Sequence, residues 1–353
     1  MKILITGIAG FVGSRLATYF KSNNESIEIV GIDNLSRKGS EFNLPVLKKL
    51  GCTIVHGDIR NKEDVEELPK TDWIIDCAAN PSVLAGINGG TSQLINHNLG
   101  GTLHLLEKCR KDNAGLIMLS TSRVYSIEAL NQIPLESNTD TFLVDATKNF
   151  PTGFTEAGIT NKFATNAPIS LYGATKLASE VMAMEYSYAF NIPVWINRCG
   201  VIAGAGQFGK IDQGIFSFWI YQWLTQKPLS YIGFEGSGHQ VRDFFSPIDL
   251  GNLIGKQIGS EAKNIPKIIN VGGGLERSMS LKQLNQYCIE KFGFHKDIIQ
   301  GKESRPFDIP YYVTDNTDAH RYWNWQPQDT KIGILDDIFD WANANRALIE
   351  SGF

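Results

Sequence analysis

The sequence has no surplus of basic residues and no run of like charges. Its 33 lysines and arginines are outnumbered by 37 aspartates and glutamates, which leaves a net charge of −4. Proteins that bind the backbone of a nucleic acid present a stripe of Lys and Arg to the phosphates. We therefore expect no nucleic acid partner.

Cysteines are few, and none stands in the spacing of a zinc site. There is no C-x-x-C pair and no histidine cluster beside any of them. We expect no metal and interpret the cysteines as reduced, mostly buried thiols. The five are Cys52, Cys77, Cys109, Cys199 and Cys288.

Long apolar runs are also missing. The most apolar later segment, Ile215 to Leu224, is short and includes Ser217 and Gln222, whereas a membrane-spanning helix needs about 20 apolar residues. The chain starts with a short strand, Ile3 to Ile5, and no basic or long apolar leader. The sequence predicts a cytoplasmic protein with no membrane partner.

Short β-branched segments alternate with longer helical ones over the first two-thirds of the chain. This is the pattern of βαβ units, and it predicts an α/β protein with a Rossmann-type, doubly wound parallel sheet. Predicted strands are Lys2 to Thr6, Ile27 to Ile32, Thr53 to His56, Trp73 to Cys77, Leu116 to Ser120 and Pro193 to Asn197. Predicted helices are Val12 to Lys21, Ser92 to Lys111 and Gly173 to Ala189.

After about Gly200 the sequence becomes richer in Gly, Gln and aromatic residues, with an amphipathic segment at Ile215 to Gln226. We expect a smaller, interleaved C-terminal substrate lobe. The predicted division is a dinucleotide-binding domain over 1–200, to which a strand near 267–271 returns, and a lobe mainly over 201–353.

A glycine-rich turn joins the first predicted strand to the first predicted helix. Gly7, Gly10 and Gly13 are spaced G-x-x-G-x-x-G, a variant of the fingerprint in which a helix N-terminus receives a pyrophosphate. Asp33 ends the second strand, where a carboxylate binds a ribose 2′-hydroxyl and repels a 2′-phosphate. The sequence thus predicts NAD, while the nearby Arg37 leaves NADP open.

Asp58 follows the third predicted strand, where an adenine would lie. Its carboxylate is predicted to accept a hydrogen bond from the exocyclic amine of that base. The alternative is that Asp58 caps the helix that begins near Asn61.

The pattern Tyr-x-x-x-Lys indicates acid–base chemistry by the tyrosine. Tyr172 and Lys176 are four residues apart at the start of a predicted helix and so share one face. Because a phenol normally ionises near pH 10, a neighbouring ammonium and a positive nicotinamide would help it to act as a base. Thr121, at the end of the fifth strand, is the candidate hydroxyl that orients the substrate.

These motifs resemble the extended short-chain dehydrogenase/reductase family, the NAD-dependent nucleotide-sugar epimerases and dehydratases, over essentially the whole chain. Within it the sequence is most similar to the 2-epimerases of CDP-linked sugars. That similarity lies in the segments 33–39, 55–61, 100–107, 207–214 and 240–243.

The resemblance implies which residues form the active site. Tyr172 would take a sugar hydroxyl proton while hydride moves to NAD, and the keto-sugar would then accept hydride on its other face. Catalytic residues would be Thr121, Tyr172 and Lys176. The cofactor would contact Gly7, Gly10, Phe11, Val12, Gly13, Asp33, Asn34, Arg37, Asp58, Ile59, Ala78, Ala79, Asn98, Ser120, Tyr172 and Lys176. The nucleotide diphospho-sugar would contact Ser122, Arg123, Gln207, Phe208, Gln213, Gln240, Arg242 and Arg305, of which Arg242 and Arg305 would hold the diphosphate.

Other activities remain open. The family's 4,6-dehydratases carry an Asp-Glu pair after the catalytic threonine, and Ser122-Arg123 in its place disfavours elimination. A 4-epimerase is the nearest competitor, followed by a dehydratase or reductase. An NAD-binding protein without turnover is the competitor from another class, and a homodimer or homotetramer is possible.

The chain also departs from the family pattern. Ser126 stands where a glycine is usual, Gly206 replaces a common arginine, and the segment between Glu156 and Tyr172 is longer. We expect these changes to lie around the sugar pocket.

Overall fold

The computed structural model describes residues 1–87, 89–210, 213–260, 264–301, 303 and 306–352. Strands are β1 Lys2–Thr6, β2 Glu28–Asp33, β3 Thr53–His56, β4 Trp73–Asp76, β5 Gly115–Thr121, β6 Leu135–Ser137, β7 Phe142–Val144, β8 Phe154–Thr155, β9 Gly158–Ile159, β10 Val194–Cys199, β11 Val201–Ile202, β12 Ser230–Ile232, β13 Val241–Phe245, β14 Ile268–Val271, β15 Ser278–Ser280, β16 Ile299–Gly301 and β17 Tyr311–Tyr312. Helices are α1 Phe11–Asn23, α2 Leu44–Lys49, α3 Lys62–Glu66, α4 Thr91–Ile95, α5 Gly101–Asp112, α6 Ile127–Asn131, α7 Ser170–Phe190, α8 Ile215–Leu224, α9 Pro247–Gln257, α10 Leu281–Phe292, α11 Thr317–Trp323, α12 Lys331–Ala344 and α13 Arg346–Glu350.

Seven strands form one parallel sheet in the order β14-β10-β5-β4-β1-β2-β3. The six strands predicted from their apolar runs are all present, with ends that differ by at most two residues. The segment expected to return near 267–271 is the edge strand β14. The predicted Rossmann-type sheet is therefore confirmed.

The two faces of the sheet carry separate hydrophobic layers, because successive side chains of a strand point to opposite faces. Ile3 and Ile5 of β1 pack with α1, α9 and α11, around Trp323. Leu4, between them, faces α5 and α7 on the other side. Both faces are thus covered by helices, which explains why these strands are continuously apolar.

The C-terminal residues add a smaller lobe with its own core. Helices α8, α10 and α12 pack together, and β13 pairs with β11, β15 and β17. Trp219 and Trp223 of α8 are buried, and both indole N–H groups donate to Asn285. The aromatic run in α8 therefore packs this lobe's core. The exact domain boundary stays a prediction.

The predicted helix over 92–111 is interrupted in the structure. Helix α4 ends at Ile95, residues Asn96–Gly100 form a π-helical turn, and α5 follows. Asn98 lies buried in this turn, where its side-chain amide bonds to Asn80 and Thr175. Periodicity does not reveal such a turn, because it keeps the apolar face of the helix nearly continuous.

No helix in the described part of the chain is long and apolar enough to cross a membrane. Among the same residues there is no group of three or more His, Cys, Asp or Glu side chains placed to hold a metal ion. The five cysteines are all free thiols.

We expect Gly31→Ala to destabilise the fold. A Cβ at Gly31, in β2, would lie 2.2–2.5 Å from side-chain atoms of the fully buried Ile8. Overpacking of this kind costs about 1–3 kcal/mol. Gly255→Ala, on an exposed position of α9 with nothing within 4 Å, is the control and should gain about 1 kcal/mol of helix propensity. Thermal denaturation measures both, and an unchanged midpoint for Gly31→Ala would contradict the packing argument.

Candidate functional site

A cavity of about 630 Å³ lies along the carboxyl ends of the strands and extends into the lobe. Ligands of open α/β sheets bind at this edge. The predicted residues that line it are Gly7, Gly10, Phe11, Val12, Gly13, Asp33, Asn34, Arg37, Asp58, Ile59, Ala78, Ala79, Thr121, Ser122, Arg123, Tyr172, Gln207, Phe208, Gln213, Gln240 and Arg242.

The glycine turn forms a cradle at the start of α1. Gly7 has a φ of 60°, which favours glycine, and Gly10 is the N-cap of the helix. A Cβ at Gly13 would lie 2.3 Å from the carbonyl oxygen of Gly7. No acidic side chain stands in the first turn of α1. Free N–H groups and the positive end of the helix dipole thus face the cavity, as a pyrophosphate requires.

Asp33 lines the cavity and also holds the turn. One carboxylate oxygen accepts from the N–H of Ala9 at 2.9 Å, and the other accepts from the N–H of Leu35 at 2.8 Å. Each oxygen keeps a further lone pair for a ribose hydroxyl. The residues at this end fit a dinucleotide with a free 2′-hydroxyl.

Asp58 is a firmly ionised carboxylate. Its hydrogen bonds with the Arg60 guanidinium hold the pKa of Asp58 well below its usual range, against the opposing effect of burial. Asn34 donates to it at 2.8 Å. The N-cap of α3 is Asn61, so the alternative role of Asp58 as that cap is not what the structure shows. Its place as the adenine acceptor stays a prediction.

Arg37 links the cofactor side of the cavity to the lobe. Its guanidinium donates to the Gln213 side chain at 2.5 Å and to the Phe208 carbonyl at 2.8 Å. Phe208 lies against Gly39, where a Cβ would come within 2.8 Å of the ring. Arg37, a predicted cofactor contact, therefore also contacts Gln213 and Phe208, which are predicted contacts of the nucleotide sugar.

Thr121 and Tyr172 meet where β5 and α7 converge. The Thr121 hydroxyl oxygen accepts from the N–H of Arg123 at 3.2 Å, so its proton is available to stabilise the Tyr172 phenolate. Gly173 allows this approach, because a Cβ there would lie 2.2 Å from the Arg123 carbonyl oxygen. The threonine hydroxyl and the tyrosine thus lie beside each other at the cavity wall.

Burial raises the pKa of Tyr172 to about 12, while the Thr121 hydrogen bond and the Arg123 charge act in the opposite direction. The sequence predicted that Lys176 would stabilise the phenolate. Lys176 is instead 2 % exposed and does not line the cavity. Its charge acts on the neighbouring Cys199 thiol. Burial raises the pKa of Cys199 to about 12, and Lys176 acts in the opposite direction. The charge of Arg123 also favours the Tyr172 phenolate, and the contribution of Lys176 stays a prediction.

Two further predicted cofactor contacts point away from the cavity. Asn98 is buried in the π-helical turn, and the Ser120 hydroxyl donates to Glu180 at 2.5 Å. Both predictions came from motif position, which does not show which way a side chain turns. Arg305 lies outside the described residues.

Two arginines converge at the lobe end of the cavity. The Arg123 guanidinium donates to the Phe307 carbonyl, and that of Arg242 donates to the Ile309 carbonyl at 2.7 Å. Burial, followed by the charge of Arg123, lowers the pKa of Arg242 to about 10. Asp308 lies 3.5 Å from Arg242 and offsets part of this positive charge. The end is therefore suited to an anionic group.

Sequence reasoning missed several lining residues. Asp308 carried no motif signal. The apolar lining of the lobe includes Phe216 and Trp219 of α8, which the sequence assigned only to packing. Gln240 was predicted, and its amide N–H donates to the Ile232 carbonyl at 2.7 Å.

None of these departures from the family pattern lines the cavity itself, although Gly206 directly precedes Gln207, which does. Ser126 is fully buried and caps α6, and the segment 156–171 contributes no lining residue. At Gly206 the space is taken by Arg15, whose guanidinium would lie 2.3 Å from a Cβ and donates to the Ala205 carbonyl at 2.8 Å.

Comparison with known proteins identifies the architecture. Residues 3–272 match the model of the NAD dependent epimerase/dehydratase family. The chain is 31% identical over 365 residues to the CDP-paratose 2-epimerase of Salmonella typhi, covering 98% of this chain and 100% of that protein. It is 26% identical over 374 residues to the UDP-glucuronate 4-epimerase of Thermodesulfobacterium geofontis, covering 99% and 98%.

Among solved structures, the chain superimposes on the UDP-glucuronic acid 4-epimerase of Bacillus cereus, a complex with UDP-glucuronic acid and NAD, with a TM-score of 0.80. The sequence identity is 24%, and the match covers 98% of this chain and 99% of that one. The fold is therefore shared over the full length.

Gly13→Ala should weaken NAD binding by at least about tenfold, because a new Cβ would displace the Gly7 carbonyl and distort the cradle for the pyrophosphate. Calorimetric titration with NAD measures the affinity. Gly255→Ala is the matched control and should bind NAD like the wild type. Equal affinity of both variants would contradict the assignment of the cradle.

Thr121→Val should raise the pKa of Tyr172 further, because the variant removes a hydrogen bond that favours the phenolate. The fraction of ionised Tyr172 at any given pH therefore falls. NMR titration of tyrosines labelled with ¹³C at the ring carbon that bears the hydroxyl measures this, with Tyr172→Phe to identify the signal. Thr121→Ser keeps the hydroxyl and should restore the wild-type midpoint, and a midpoint that Thr121→Val leaves in place would refute the bond's role.

Proposed function

Because the chain belongs to the NAD dependent epimerase/dehydratase family, whose cofactor is NAD, we propose that this enzyme inverts one hydroxyl-bearing carbon of a nucleotide diphospho-sugar through a transient keto-sugar. The proposed substrate class is that of the CDP-paratose/CDP-tyvelose 2-epimerases. The observation that carries the proposal is the position of Thr121 beside Tyr172 at the cavity wall, where the threonine hydroxyl favours the phenolate, followed by Ser122-Arg123 rather than by an acid pair.

Each residue of the site has a role that follows from its position. NAD, when bound, supplies a hydride acceptor and donor. Tyr172 takes the proton of a sugar hydroxyl and returns it after the sugar has turned, and Thr121 orients that hydroxyl by its own hydrogen bond. Burial favours the protonated phenol and the Arg123 charge favours the phenolate, and Lys176 is proposed to add to the effect of Arg123.

Two features support epimerisation over elimination. A 4,6-dehydratase needs an acid beside the catalytic threonine to move the protons at C5 and C6, and Ser122 and Arg123 supply none. Arg242, half-buried at the lobe end, suits a diphosphate, and Arg305 is proposed to assist it. Held by its diphosphate, a substrate presents its sugar to Tyr172.

Oxidation at C2 is proposed because of the full-length similarity to the CDP-paratose 2-epimerase. A UDP-uronate 4-epimerase is the second candidate. A specific observation favours it: Arg123 lies close enough to Tyr172 for their charges to interact, so it would suit a carboxylate on the sugar. The similarity to the UDP-glucuronate 4-epimerase agrees with this alternative.

Tyr172→Phe should lower turnover by at least about 100-fold, since it removes the proton acceptor. Tyr188→Phe, at a 90 % exposed position of the same helix, should keep full activity. The assay incubates the NAD-loaded protein with CDP-, UDP-, GDP- and dTDP-sugars and resolves the epimers by chromatography and NMR. Product without net NADH is expected.

Each alternative gives a different result. NADH released in proportion to product would identify a dehydrogenase, and conversion of UDP-glucuronate without conversion of a CDP-sugar would identify the 4-epimerase. If the wild type binds NAD but converts no sugar, and Tyr172→Phe changes nothing, the chain is an NAD-binding protein without turnover.

A further inference from the structure

A buried hydrogen-bond network lies directly behind the residues of the site. Ser120, which precedes Thr121 in β5, is 5 % exposed and faces away from the cavity. Its hydroxyl donates to the Oε1 atom of Glu180 at 2.5 Å. Glu180 belongs to α7, the helix that carries Tyr172, and is 1 % exposed. This bond therefore joins the strand of the threonine to the helix of the tyrosine.

Glu180 is held in turn by Arg198 of β10. The guanidinium donates through Nε to both carboxylate oxygens, at 3.0 and 3.1 Å, and through Nη2 to Oε2 at 2.6 Å. Both side chains of this ion pair are buried. A buried carboxylate with a bidentate partner has a single well-defined position. Glu180 is thus a fixed anchor for Ser120.

The network continues to the edge strand β14. The Nη1 atom of Arg198 donates to the Tyr125 hydroxyl at 3.3 Å and to the Asn161 carbonyl at 3.3 Å. The Tyr125 hydroxyl donates to Asn270 at 2.5 Å. Strands β5, β10 and β14 and helix α7 are therefore tied together at the level of the site. Any roll of α7 against the sheet would break several of these bonds at once.

We propose that Ser120 and Glu180 are positioning residues, which fix α7 against β5 so that the Thr121 hydroxyl stays beside Tyr172. This inference rests on the proposed function of that pair. Glu180 lies eight residues after Tyr172, about 12 Å along the helix axis, so a bond at this second point prevents α7 from pivoting. The same bond restrains β5 at the residue next to Thr121.

Ser120→Ala is the test, because it removes the bond between β5 and α7 and leaves the ion pair of Glu180 and Arg198 in place. We expect kcat to fall by about tenfold, as small misplacements of reacting groups do. The substrate KM and the NAD affinity should not change. Loosening the Thr121 hydrogen bond should also move the ionisation midpoint of Tyr172 upward in the ¹³C-tyrosine titration of the NAD-loaded protein.

Ser187→Ala is the matched control. Ser187 lies on the same helix, and its hydroxyl donates to the Ile192 carbonyl at 2.7 Å, away from the cavity. A second pair of variants separates position from stability. Glu180→Gln and Asp112→Asn each break a buried ion pair, the latter with Lys108 at 2.9 Å. Both should lower the denaturation midpoint, but only Glu180→Gln should move the Tyr172 midpoint.

The outcomes are distinct. A wild-type Tyr172 midpoint in Ser120→Ala overturns the inference, and so does a loss of NAD affinity at unchanged kcat, which would make Ser120 a cofactor contact. A wild type that converts no nucleotide sugar refutes the proposed function. The tyrosine titration then still decides whether Ser120 and Glu180 position the pair, because it needs no turnover.

Discussion

Seven strands that run in the same direction end at the same edge, and several polar groups of the site lie at or just after a strand end. Asp33 closes β2 and Thr121 closes β5. Since neighbouring strands are held in register by their ladders, these groups are fixed relative to one another without contacting directly. Because the strands are parallel, residues that are far apart in the sequence can act together at this edge of the sheet.

A second set of contacts connects the sheet to the lobe. Arg37 reaches Gln213 and Phe208 across the cavity, and the buried Asp243 of β13 accepts from the N–H groups of Gly274 and Thr314. These bonds pair backbone and side-chain groups of segments that are far apart in the chain. The lobe is therefore held against the sheet rather than attached only by its linkers.

The sequence predicted well those features that repeat or have a fixed spacing. Continuous apolar runs marked the strands, glycine spacing marked the turn at Gly7, and four-residue spacing marked Tyr172. Partners across the fold were not predictable in this way. Ser120 meets a glutamate 60 residues away and Arg37 meets Gln213 across 176 residues. Periodicity shows which face of an element is buried, but not which polar side chain lies opposite.

The turn at Gly206 also has a partner that sequence patterns did not predict. Its sequence shows a glycine where relatives commonly have an arginine, yet a guanidinium is present there, supplied by Arg15 of α1. A Cβ at position 206 would lie 2.3 Å from the Nη2 atom of Arg15, so the glycine leaves the room that this guanidinium occupies. A side chain at this turn would have to displace a cation that belongs to helix α1. The residue tolerated at position 206 is therefore set by a group from the start of the chain.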